Sequence, residues 1–559
     1  MTTRSSTSVG TALLSFLVLA VLPASAGAGE LLYNGIELPD RWPPGRPLDE
    51  LRSGTPMEVP YLESPPAVIP IDVGRQLWVD DFLIASTTLR RVFHKPVAHA
   101  ENPVLRPNKR WEVAFDPHSA MCFSDGVFFD PQDELFKLWY RYSARGGTAI
   151  AFSRDGIQWD KPNLQDGPQP GTNIVLIGGN RDSATVWLDH DAADPAARFK
   201  LFQFHRDSWQ ASAHTSPDGI HWSEPTWCGP SGDRSTIFYN PFRKVWMFSI
   251  RAGLYRGPWE YKNPPYRIIG RSRLYWEAKD FLTGSQWQGG RHIHGEQWEE
   301  GQPQYWLACD AQDDPPQGSA DLPAELYNFD AAPYESIMLG FASVLHSGPR
   351  AAGRPKINSV MLAFSRDGYH FDRPCREAAM STVDDPEAWN YGNVQSAAGG
   401  GLIVGDKFYT YASGRNARED TTGLYVWRRD GFASMDAGAA GGSLTTRPVT
   451  FGGQHLFVNL AAAEGELVAE LLDLEDRVLA TSKPLAGVDS TLVKVEWADA
   501  ADLSAWSARP ARFRFRLKNA AFYAFWVSPD ESGASYGYVA GGGPGFTGPI
   551  DTVGQEGFR

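Results

Sequence analysis

Five acidic residues in this chain have the type and setting that general acid–base chemistry would need. Asp182 (in NRDSATVW) and Asp233 (in GDRSTIF) share one frame, Asp-x-x-Thr-apolar-aromatic, so their carboxylates should sit at equivalent points of two related strands. Glu335 (in YESIMLG) stands directly before a strongly apolar run, a setting that raises a carboxyl pKa by desolvation. Asp116 (in AFDPHSA) and Asp125 (in FSDGVFF) are two further choices for a base. Glycoside hydrolysis asks for two carboxyls flanking the scissile oxygen, one protonated and one ionised. Around them, Arg181 and Arg234 are expected as ion-pair partners. His118, Asn393, Gln395 and Arg415 are expected to bind hydroxyls, and Tyr334 and Trp389 to stack on sugar rings. Each has a structural alternative: strand-end capping for the acids, surface hydrogen bonding for the polar residues and core packing for the aromatics.

Residues so far apart meet only if the fold returns repeatedly to one axis. A short phrase occurs three times: SRDGIQW (153–159), SPDGIHW (216–222) and SRDGYHF (365–371). Asp-Gly between apolar runs marks a tight turn, with the Asp carboxylate accepting backbone N–H groups of that turn. Asp155, Asp218 and Asp367 are therefore fold devices rather than catalysts. The phrase is similar to the Asp-box of sialidases but one residue shorter. Five stretches between about 100 and 435 share a rhythm of polar start, aromatic and β-branched strands and turn, the third carrying a degenerate copy of the phrase. The expected fold is all-β: a five-bladed β-propeller over 71–436, a Gly/Ala-rich junction, then a β-sandwich over 444–528. In the latter, RFRFRLK (512–518) alternates as a half-buried strand. Residues 29–70 read as a Pro-rich surface lead-in, and 529–559 as a flexible tail.

Residues 1–28 have the form of a signal peptide, with Arg4, an apolar run over 12–22 and Ala24-Ser25-Ala26, so the protein is expected to be secreted or periplasmic. No later run is long and apolar enough for a membrane span. A net charge of −14 argues against nucleic acid. The expected partner is an oligo- or polysaccharide, which suits the 20 Trp, 20 Tyr and 30 Phe. Cys122, Cys228, Cys309 and Cys375 are dispersed and fit one or two disulfides or buried thiols equally. No cofactor or metal is expected to be required. The acidic loop 310–321 offers carboxylates to calcium, but without a known ligand spacing it reads as a solvated insertion.

A propeller with acids at the strand starts and a following sandwich resembles glycoside hydrolase families 32 and 43. That resemblance implies acids on the first, third and fourth blades: Glu335 as general acid, Asp233 as transition-state stabiliser and Asp116 or Asp125 as base. The family 32 first-blade signature Trp-Met-Asn-Asp-Pro-Asn-Gly and the Arg-Asp-Pro signature are both missing. Arg181-Asp182-Ser183 is like the latter but falls in the second blade. Two rival readings are a non-catalytic carbohydrate-binding propeller and a sialidase-like exo-glycosidase. The second would call for three clustered arginines, a Tyr–Glu pair and six blades.

Overall fold

The computed structural model describes residues 29–178, 180–256, 267–289, 301–313, 324–346, 356–396 and 399–558. The signal-like segment 1–28 and most of the acidic loop 310–321 lie outside them. The fold is nearly all-β and consistent with a β-propeller. Helices among the described residues are confined to short turns such as Leu48–Ser53 and Pro60–Glu63.

Five groups of antiparallel strands follow one another. Their innermost strands are His118–Met121 with Val127–Asp130, Arg181–Leu188, Thr236–Asn240, Glu325–Glu335, and Gly392–Ser396 with Leu402–Val404. Neighbouring groups pack side by side in sequence order. The fifth closes onto the first, because Glu419 and Asp420 pair in parallel with His118 and Ser119. The fifth group also borrows Val97–Ala98, a segment that precedes the first, as its outer strand.

The repeated phrase fastens each group to the preceding one. Asp155 Oδ1 accepts the N–H groups of Ile157 and Gln158 at 2.8 Å each, and Asp218 and Asp367 do the same in their own turns. The serine hydroxyl accepts the glycine N–H in all three. The bare glycine edge lets a neighbouring aromatic reach the backbone. Tyr411 Oη donates to Gly156 O at 2.6 Å, Trp139 Nε1 to Gly219 O at 2.8 Å, and Trp306 Nε1 to Tyr369 O at 2.7 Å.

Three expectations about boundaries need correction. Gln76–Leu77, Ile84–Thr87 and Arg90–Phe93 lie inside the span read as propeller, yet they pair with the C-terminal sheet. That sheet has ten strands around the long strand His455–Leu472. Its Arg512–Lys518 strand buries Phe513, Phe515 and Leu517 and turns the intervening residues outward, as alternation requires. The lead-in is not a surface strap: Leu32, Ile36, Leu38 and Ile69 join the C-terminal core, and Ile69–Pro70 pairs with Val449–Thr450. The tail is ordered. Tyr538–Val539 adds a strand to the fourth group, and Asp551 is buried. Non-local strand pairing sets all three, and it leaves no local pattern.

Candidate active site

The leading ends of the inner strands bring charged residues from all five groups together. Asp182, at the start of the second, receives Arg206 Nε at 2.7 Å and lies 3.1 Å from Arg234 Nε of the third. Asp233 stands next to Arg234, and Arg251 Nη1 approaches its Oδ1 to 3.4 Å. Asp125 follows the first inner strand and pairs with Arg181 at 2.9 Å, both fully buried. Asp420 of the fifth group takes Arg141 at 2.9 Å and Arg415 at 3.0 Å. The guanidinium of Arg234 lies 3.6 Å above the Phe123 ring and 5.3 Å from that of Tyr327.

Deeper on the fourth strand, Asp330 Oδ2 accepts three hydrogen bonds. They come from Ser124 Oγ of the first group (3.0 Å), Ser396 Oγ of the fifth (2.8 Å) and Asn328 Nδ2 (2.8 Å). Three groups thus meet on one carboxyl. Its Oδ1 has no hydrogen-bond partner among the described residues.

These surroundings push the carboxyls in opposite directions. Burial raises Asp330 to about 6 against the serine hydrogen bonds and the Arg273 and Arg234 charges. Burial likewise raises Asp125 to about 6 against Arg181. Burial also acts on Asp182, but Arg234, Arg206 and Arg141 outweigh it and hold that carboxyl well below the usual range. Tyr327 is buried too, yet Arg234 and Lys356 bring its phenol below its ordinary value. The backbone is strained at this end as well: Phe123, Asn180, Arg234 and Asn393 have φ of 36°, 52°, 64° and 60°. Non-glycine residues hold such angles only where surrounding structure enforces them, and such positions cluster at functional sites.

Of the residues expected from sequence, Asp125, Arg181, Asp182, Asp233, Arg234 and Arg415 share this end. Asn393 is buried beside them, its Oδ1 accepting from Asn358 Nδ2 and Gln395 Nε2 at 2.8 and 2.9 Å. Asp116 and His118 lie at the rim of this end, beside Arg415. They line an open cavity of about 1010 Å³ with Arg415, Arg106 and Glu387, and His118 Nε2 is 3.5 Å from Asp116 Oδ1.

Glu335 and Tyr334 do not belong here. The fourth inner strand starts at Glu325, so Glu335 is its last residue, at the opposite end. There Glu335 is fully buried against Arg429 (3.1 Å) and Arg75 (3.5 Å), and Tyr334 Oη donates to Asp430 at 2.8 Å. The apolar run that follows Glu335 is the second strand of the group, Ile337–His346, and Pro333 sits within the ladder opposite Met338. Trp389 packs against Gly414 and Gly423, 6.0 Å from the Tyr425 ring, which makes it part of the scaffold.

Sequence reading missed Asp330, Arg206, Tyr327, Lys356, Glu325 and the Arg271/Arg273 pair. The signal was present: Asn328-x-Asp330 and Arg271-x-Arg273 place polar residues at period two in otherwise apolar strands, on one face of each. The four cysteines are unpaired. Asp310 and Asp313 of the acidic loop are held by Arg373 and Arg376 at 2.7–3.2 Å. Among the described residues, no group of three or more side chains could hold a metal ion, and no helix is long and apolar enough to cross a membrane.

No family model matches the sequence, and no curated protein matches it either. Solved structures similar to the chain include several glycoside hydrolases and an N-acetylgalactosamine deacetylase. One is from the GH130 family of mannoside phosphorylases, a family that contains glycoside hydrolases targeting β-1,2 mannosidic linkages in Candida mannan. It is 13% identical over 62% of this chain and 96% of its own, with a TM-score of 0.40. A thermostable family-43 glycoside hydrolase is 12% identical over 57% and 94%, with a TM-score of 0.37. A β-fructofuranosidase from Schwanniomyces occidentalis is 9% identical over 78% and 97%, with a TM-score of 0.34. With every TM-score below 0.5, the activities of those proteins are not carried over to this chain.

Proposed function

We propose that this chain is an exported glycoside hydrolase. In this reading the five strand groups are the blades of a propeller, the C-terminal sheet is a sandwich beside it, and the reaction takes place at the leading ends of the inner strands. One observation carries the proposal: carboxyls from different strand groups converge there with pKa values driven apart, Asp330 and Asp125 upward and Asp182 downward. Such a split assigns the two roles that glycoside hydrolysis requires. Asp330 is the proton donor. Its Oδ2 is saturated by three donors, so the proton resides on Oδ1. Asp182, held ionised by guanidinium groups, faces the positive charge that develops at the anomeric carbon. Asp233, with its side chain 23% exposed, reaches solvent, whereas Asp182, Asp330 and Asp125 are buried.

Substrates to test first are furanosides and plant or algal glycans, using wild type between pH 4 and 8 with reducing-end release as the readout. Hydrolysis of one glycan, lost in Asp182→Asn that remains folded, is the expected result. The second reading, a carbohydrate-binding protein without catalysis, is favoured by the deep burial of Asp182 and Asp330. Tight binding of a glycan with no reducing ends released would establish it instead.

A further inference from the structure

We infer that the ligand of this axial site is an acidic glycan, one whose sugar rings carry carboxylate or sulfate groups. The inference rests on the glycan reading above and adds the charge of the substrate. It follows from how the cations at the axis are partnered. Asp182 serves two guanidinium groups, Arg206 and Arg234. Asp420 also serves two, Arg141 and Arg415. Arg273 is fully buried and donates only to the backbone carbonyls of Arg234 and Tyr327. Lys356 donates to the phenol oxygen of Tyr327 at 3.0 Å. Neither Arg273 nor Lys356 has a carboxylate partner among the described residues.

Counting direct contacts among the described residues, four cations therefore exceed one-to-one pairing, against a single carboxyl, Asp330, that no cation contacts, although the Arg273 and Arg234 charges act on it through space. This positive excess stands in a chain whose net charge is −14, so overall composition does not explain it. Burying uncompensated cations costs free energy unless an anion completes the site. Among the described residues, Arg234 Nη1, Arg251 Nε and Arg271 Nε are buried with no hydrogen-bond acceptor. The cations that reach solvent are the ones placed to complete it. Arg206, Arg415 and Arg251 side chains are 43%, 30% and 26% exposed. Arg206 and Arg415 each spend two N–H groups on a shared carboxylate and keep the outer Nη1 for a ligand. A planar guanidinium fork matches a carboxylate or sulfate.

The test is equilibrium binding by calorimetry, which needs no turnover. Four probes form two arms: oligogalacturonate with its methyl ester, and a sulfated galactan oligosaccharide with its desulfated form. Inorganic phosphate is added as a competitor. Wild type should bind the acidic member of one arm at least tenfold more tightly than its neutral partner, with affinity falling as salt rises; the arm that responds identifies carboxylate or sulfate. Arg206→Gln and Arg415→Gln should lose about tenfold for the acidic probe and less than twofold for the neutral one. Equal affinity for acidic and neutral members in both arms overturns the inference, as does binding of phosphate without preference for either acidic glycan. Should a variant fail to fold, the wild-type comparison decides alone. Acidic glycan bound but never cleaved would retain this inference and end the hydrolase reading. Neutral glycan cleaved with no acidic preference would do the reverse.

Discussion

Glu335→Gln separates an acid that builds the fold from one that does chemistry. Glu335 lies where four distant segments meet: Arg75 before the C-terminal sheet, Arg429 and Asp430 after the fifth strand group, Asn459 within the C-terminal sheet, and Ser535 and Asp551 in the tail. Its Oε1 faces Arg429 and Arg75 at 3.1 and 3.5 Å, and its Oε2 accepts Ser535 Oγ at 2.6 Å and the Arg75 N–H at 3.1 Å. Two cations oppose three carboxylates in this cluster, with Asp430 taking Arg75 at 2.8 Å and Asp551 taking Arg429 at 2.7 Å. Burial raises the Glu335 carboxyl, Arg429 and Arg75 oppose that, and Asp430 and Asp551 add to it. Neutralising Glu335 therefore leaves a balanced two-against-two cluster and no orphaned charge. What the amide loses is geometry, because an NH2 at the Oε2 position faces the Arg75 N–H, donor against donor. That costs about 1–3 kcal/mol. Removing Arg429 instead strands three carboxylates with one cation and costs at least 3–5 kcal/mol. Denaturant unfolding followed by tryptophan fluorescence reads both, with glycan hydrolysis measured on the folded fraction. Glu335→Gln should lower stability modestly and leave the rate intact. An unchanged unfolding midpoint with hydrolysis abolished would refute this placement of Glu335.

Further outcomes follow from the geometry. A proton donor at about pH 6 must be protonated to work, so hydrolysis should fall as pH rises through about 6, read from a pH–rate profile. The same raised carboxyls bind protons more tightly folded than unfolded. Between about pH 6 and the ordinary value of 3.8, Asp125 and Asp330 should therefore make the protein more stable as pH falls, by up to about 3 kcal/mol each, visible in unfolding midpoints. Gly219→Ala should destabilise by roughly 2–5 kcal/mol, because φ is +80° and the new methyl would stand 2.5 Å from the buried Trp139 ring. Gly405→Ala, with φ +60° and nothing within 4 Å, should cost only about 1 kcal/mol. Equal losses at the two glycines would contradict the fastening role of the repeated turn.

What could be read from sequence is what closes on itself locally. The Asp-Gly turns were legible because each Asp carboxylate binds N–H groups two and three residues on. Asp182 and Asp233 were legible because one frame repeats. Glu335 was misplaced because the apolar run after it, Ile337–His346, is the second strand of its group, and the true start of the fourth inner strand, Glu325, has no apolar run to announce it. Asp330 was invisible because its setting is built by Ser124 and Ser396, which are 206 and 66 residues away in sequence. The pairing of Gln76–Leu77 and Arg90–Phe93 with the C-terminal sheet is hidden for the same reason, since edge complementarity across the whole chain has no short-range signature.

The most direct test of the account is Asp330→Asn, with hydrolysis and unfolding measured on the same preparation at pH 5.5. The amide imitates the protonated carboxyl in shape and hydrogen bonding but has no proton to give. The account predicts a folded protein whose rate on a natural glycan has dropped about a thousandfold. A variant that keeps the full wild-type rate would contradict it.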